Sequence, residues 1–175
     1  MQTADQTVYL ALASALGLDS ARPETSLRIR RAYANPAPPP PPEDQDIVYY
    51  HLLPGPEPSL TESRLLPDGS RSAFRFSPFL LNLVFYGPGA EENAWRVRRR
   101  LYEEDRPEDP RRILRRRGIF PVPHPPGPCL VWENWKERHR PRADLVIRLR
   151  LRIQETDSAP SGCGVEQPPE IRIHR

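Results

Sequence analysis

Lysine is almost missing from this chain: of 26 basic residues only Lys136 is a lysine, and the rest are arginines. Genomic base composition can produce that bias, so it carries little functional weight by itself. Cysteine is scarce as well. Cys129 and Cys163 form no CxxC pair and have no histidine at ligand spacing, so neither a zinc site nor a disulfide framework is encoded. A single bridge stays open, with two free thiols in a reducing compartment the expectation. Long apolar runs are lacking too. The longest, Phe79 to Tyr86, is far short of the roughly 20 residues that span a bilayer. No basic n-region follows Met1, so the expectation is a soluble protein made in the cytoplasm. Finally, GxSxG, HExxH, Walker-type and GxGxxG motifs are all missing from the sequence.

What is present is proline. Its 24 residues, with a hydrophobic content of 37%, require long connectors and a core concentrated in a few elements. The 175 residues suffice for one domain. We place it at residues 1–154, with a proline-rich extended connector at 36–46 and a polar C-terminal tail at 155–175. The net charge of +3 permits nucleic-acid contact without arguing for it.

Periodicity predicts an α+β fold: a mostly antiparallel central sheet with helices packed on one face, joined by long proline-rich connectors. A helix is expected from Thr3 to Leu16, closed by Gly17 in the left-handed region. Leu27 to Tyr33 and Ile47 to Leu53 read as strands. Pro36 to Pro42 reads as polyproline II; a stiff connector is preferred to an SH3-type ligand. A β-hairpin turns at Asp68-Gly69. Its return arm reaches an apolar strand, Phe79 to Tyr86, expected to be covered on both faces, with Pro78 marking a bulge or break. After Tyr86-Gly-Pro-Gly89 the period changes to 3.6, and Ala94, Val97 and Leu101 form a buried stripe with Trp95 and Tyr102 beside it as core. A short helix follows, with Asp109 as N-cap, Pro110 at N1 and Gly118 beyond its end. Residues 119–128 are expected to be extended and irregular, 129–135 a strand, and Lys136 to Pro141 a charged bend. From Ile147 to Ile153 apolar residues alternate with Arg148, Arg150 and Arg152, a strand with two unlike faces.

No catalytic constellation or cofactor motif emerges, and a non-enzymatic role without cofactors is the expectation. His51 reads as a core or interface histidine, His124 as a loop residue, and Cys129 as a buried structural thiol rather than a nucleophile. The remaining signal is segregated charge. Basic residues crowd two consecutive helices, Arg115 and Arg116 among them. The acidic run Glu103, Glu104, Asp105, Glu108 and Asp109 lies between.

The order "FLLNLVFYGPGAEENAWRVRRRLY", "RRILRRRGIFPV" and "LVWENWKERHRPRADLVIRLRLRI" resembles the neck and tail terminator (tail completion) proteins of tailed bacteriophages. A strand-to-helix "YG" junction, an "LY" within the helix, a helix ending "L...GI.P" and an "EN..ER...D" approach to the last strand carry the resemblance, which covers about Ile47 to Ile153. It implies a structural virion protein at the tail–neck junction, assembled in the host cytoplasm. It would form a homo-oligomeric ring, commonly a hexamer, that caps the tail tube and joins it to a neck or sheath protein. DNA would pass through the lumen without specific binding; no membrane is implied. On that reading the acidic run of one copy would meet Arg148, Arg150 and Arg152 of the next, and the arginine row would face a neighbour or solvent rather than the lumen. The alternatives are an arginine-rich nucleic-acid-binding protein and, behind it, an adaptor recognised through Pro38 to Pro42.

Overall fold

In the computed structural model of the chain, residues 4–33, 41–55, 60–65, 71–103, 109–135 and 138–157 are described. Two long strands form its spine. β4 (Arg71–Tyr86) and β7 (Arg138–Asp157) run antiparallel from the pair Arg71 and Asp157 to the pair Tyr86 and Arg142. Along the free edge of β4, β2 (Ile47–Pro54) pairs with its second half and β3 (Leu60–Leu65) with its first. β1 (Ile29–Arg31) joins β2 in parallel. Along the other edge of β7 lie β5 (Ile119–Pro121) and β6 (Cys129–Trp135), both antiparallel. Among the described residues this makes one seven-stranded, mixed, mostly antiparallel sheet. The helices α1 (Ala4–Leu16), α3 (Ala90–Tyr102) and α4 (Pro110–Arg115) pack over one face of it, while the short α2 (Pro23–Arg28) leads into β1. The fold is α+β.

The alternation in β7 decides which face is covered. Leu145, Ile147 and Leu149 are buried, and their β4 partners Leu83, Leu81 and Phe79 share that side. Val8 and Leu12 of α1, Ala94, Val97 and Leu101 of α3 and Leu114 of α4 complete one continuous core. Each fully buried aliphatic side chain contributes roughly 1.5–3 kcal/mol. α1 ends as its sequence dictates. Gly17 takes φ +71°, its amide donates to Ser14 O, and the amide of Leu18 donates to Ala13 O, a Schellman closure. The Gly-Pro-Gly junction also has a physical cause. Asp46 Oδ1 accepts from the amide of Gly89 at 2.7 Å, capping α3 from outside, and a Cβ on either Gly87 or Gly89 would collide with Asp46.

Several expectations are corrected. The strand expected over Leu27 to Tyr33 begins only at Ile29, because Pro23 at the first helical position nucleates α2 through Arg28. Pro78 causes neither bulge nor break: the β4–β7 register passes through Pro78 and Arg150 without interruption. It sits where the partner on the opposite edge changes from β2 to β3, and its carbonyl accepts from Gly55 N at 2.8 Å. The apolar run of β4 is covered on one face alone. Leu81, Leu83 and Phe85 are buried, whereas Leu80, Asn82, Val84 and Tyr86 are half-buried. β5 arises within the stretch expected to be irregular; three residues are too few to display a period, and pairing with β7 specifies them. The charged bend is tighter than expected, since Trp135 pairs with Arg138 and β7 starts there. β7 also runs past Gln154 to Asp157, into the expected tail. The proline tract at 36–40, the turn at Asp68-Gly69, and residues 158–175 lie outside the described residues.

A candidate assembly surface on the open face of the sheet

Opposite the helices the sheet carries its even-numbered β7 positions. Arg148, Arg150 and Arg152 are exposed there, and Val146 keeps 40% of its surface. Alternate residues on a strand stand about 6.7 Å apart, so the three guanidinium groups form an evenly spaced row. Beneath and beside it the floor is apolar. Leu80, Pro78 and Phe76 are the cross-strand partners of Arg148, Arg150 and Arg152, and Phe120 of β5 flanks Arg150 from the other side. All four are half-buried. The Arg152 guanidinium lies 4.6 Å from the centre of the Phe74 ring, a cation–π arrangement.

Towards the start of β7 the same face becomes polar and self-satisfied. Arg142 donates to both Asp144 oxygens, at 2.7 and 2.6 Å, and a third nitrogen reaches Glu133 at 3.5 Å. Asp144, with Glu133 behind it, holds the Arg142 guanidinium even more firmly protonated than usual, against the cost of its partial burial. Tyr86, the cross-strand partner of Arg142, is pushed up to about 12 by burial and by its hydrogen bond to Glu133. That end of the face satisfies its own charges, whereas Arg150 and Arg152 extend from an apolar floor.

Within the acidic run, Asp109 does not suit the expected role of an intersubunit partner. Asp109 is 3% exposed. Its side chain accepts from the backbone amide of Arg111 and from Arg111 Nε, both at 2.8 Å, so it is a buried helix cap with no face to offer a neighbour. Glu103 is exposed but bound to Arg98 at 2.6 Å. Glu104, Asp105 and Glu108 lie outside the described residues. Charges on α3 are likewise committed within the chain: Arg96 binds Glu92 at 2.7 Å, and Arg100 donates to Ser14 O at the end of α1. Arg115 and Arg116 are exposed at the end of α4. The chain then turns at Gly118, whose carbonyl accepts from Arg152 N at 2.7 Å, so the fold joins that basic helix end to the arginine row.

Side chains expected in the interior also moved outward. Cys129 is exposed rather than buried. Trp95 keeps 39% of its surface. Trp132 keeps 71%, in keeping with its three-residue spacing from Trp135, which sets the two on opposite sides of a strand and one of them at the surface or an interface. His51 is half-buried against the Tyr33 ring, and His124 is exposed in its loop. The Phe floor escaped the sequence reading because it depends on which strand lies beside β7. Its signal, Phe74-Arg-Phe76 alternation, became meaningful once the β4–β7 register was known. Among the described residues no group of three His, Cys, Asp or Glu side chains could hold a metal ion, and no helix is long and apolar enough to cross a membrane. Models of known protein families give no match to the chain, and no curated protein matches it.

Proposed function

We propose that this protein is a structural ring subunit of a virion tail, one that caps the tail tube and joins it to a neck or sheath protein. The observation supporting this reading is the one-sided sheet. Helices cover one face, and the other presents three exposed arginines on a half-buried apolar floor, a surface suited to burial against another protein. The order of sequence motifs, which resembles that of tail terminator proteins, supports it as well. Such a ring needs no reaction centre; its chemistry is burial and charge complementarity between copies. Native mass spectrometry and negative-stain images of the purified protein, alone and with tail tubes, test it. Closed rings that cap tubes are expected; a protein that stays monomeric and ignores tubes refutes it.

Interleaved arginine and phenylalanine on the open face favour a second reading, a nucleic-acid-binding surface, since guanidinium and ring pairs also grip phosphates and bases. On B-DNA each neutralised phosphate contributes roughly 0.9 to the slope of log affinity against log salt. A gel shift at two salt concentrations separates the readings: the ring subunit binds weakly and without a steep slope.

A further inference from the structure

The arginine row cannot pair with itself. A two-fold contact centred on the row would set its arginines against one another, and like charges directly opposed are destabilising. A second copy that covers the row itself must therefore bring a different surface, which makes the contact heterologous.

One such surface stands out by its exposed apolar area. Leu130 and Trp132 of β6 are 54% and 71% exposed. Their cross-strand partners, Ala143 and Pro141, place them on the helix side of the sheet, yet α3 leaves them uncovered. Trp95 of α3 belongs to the same region, for Gly127 in the loop leading into β6 packs on its indole ring. A carboxylate lies beside it: Glu91 shares a shallow concavity with Trp95, Arg99 and Glu92, the last already bound to Arg96. Indole faces and carboxylates are the two groups a guanidinium prefers, by cation–π attraction and by charge. Arginine and tryptophan are also the residues that carry interface energy. The chain already stacks a guanidinium on a ring at both places, Arg98 over Trp95 at 5.4 Å and Arg152 over Phe74 at 4.6 Å.

The placement of the two surfaces suits a repeating contact. The arginines occupy one stretch of β7 and β6 pairs with another, with Trp132 opposite Pro141 and Arg150 nine positions further along. At about 3.3 Å per residue they are roughly 30 Å apart, and they lie on opposite faces. We propose that Arg150 and Arg152 on the open face of one copy seat on Trp132 and Leu130 at the β6 edge of the next copy. This rests on the ring reading and names the two surfaces that meet in it.

The test uses two full-length variants, Arg150→Glu/Arg152→Glu and Trp132→Arg, each checked for a wild-type thermal melt. All three side chains are exposed, so both variants are expected to fold. Native mass spectrometry then reads assembly. Each variant alone is expected to be monomeric, the first because a glutamate face loses its aromatic partner, the second because an arginine edge opposes the arginine face. Mixed in equal amounts they are expected to regain assemblies with an even number of subunits, alternating the two. In the mixture the glutamate face of one meets the introduced arginine of the other, and the remaining junction is wild type. A Trp132→Arg protein that assembles like wild type, or a mixture that stays monomeric, overturns the proposal while leaving the ring reading intact. A wild-type protein that stays monomeric and ignores tail tubes instead defeats the ring reading itself.

Discussion

Ile147 and Arg148 are adjacent in the chain and share one strand, yet they live in different solvents. Ile147 is fully buried beneath α3, and Arg148 stands in the open on the opposite side. The two faces of β7 divide the molecule's tasks. The covered face supplies stability through apolar burial, and the open face keeps its arginines exposed. Mutations should therefore separate cleanly by the parity of the residue number. Ile147→Ala is expected to cost about 2–5 kcal/mol, the range for emptying a well-packed aliphatic site. Val146→Ala on the open face should stay within about 0.5 kcal/mol in the isolated subunit. Urea unfolding of both variants checks this, and equal losses would break the distinction between the faces.

Asp109 sharpens the same comparison from the helix side. Its carboxylate is buried and serves both the Arg111 amide and the Arg111 guanidinium. Asp109→Ala should lower stability by about 2 kcal/mol, combining a lost N-cap with an arginine left without its partner. Asp109→Asn should cost less, because an amide oxygen still caps the helix. In both variants assembly per folded molecule should match wild type; a selective loss of assembly in native mass spectra would return Asp109 to the interface role its sequence context suggested.

The regular features of this fold were legible in the sequence because they are local. Strict alternation in β7, the 3.6 period of Ala94, Val97 and Leu101, and the punctuation by Gly17, Asp109 and Gly118 each follow from neighbours within a few residues. Errors arose wherever a distant partner decides. Trp95 lies beside the buried stripe of α3, but whether it is covered depends on how far the sheet extends beneath that helix. Pro78 looks like a strand breaker until β2 and β3 are seen to share one edge of β4, with the proline at their junction. The candidate surface divided in the same way. Its arginines were visible as a row, and the spacing of Trp132 and Trp135 set one of them at the surface or an interface, whereas the phenylalanine floor required the register of the strands beside β7.

The smallest expected effect compares two tyrosines on opposite sides of the sheet. Burial pushes both hydroxyls up to about 12. Tyr86, on the open face, has a hydrogen bond to Glu133, whereas the Tyr102 hydroxyl, at the end of α3, is buried with no hydrogen-bond partner among the described residues. A tyrosine whose folded pKa lies above its unfolded value of about 10 binds its proton more tightly when folded. Its contribution to stability is complete below pH 10 and is lost as pH rises from there towards 12. Tyr86→Phe removes a satisfied hydrogen bond and should cost about 0.5–1.5 kcal/mol at neutral pH. Tyr102→Phe removes a buried hydroxyl that makes no hydrogen bond among the described residues and should be neutral or slightly stabilising. Both should flatten the alkaline fall in stability, measured as urea midpoints at about pH 9 and pH 11. If Tyr102→Phe instead costs as much as Tyr86→Phe, the Tyr102 hydroxyl has a bonding partner after all, and the helix side of the sheet is more polar than its packing implies.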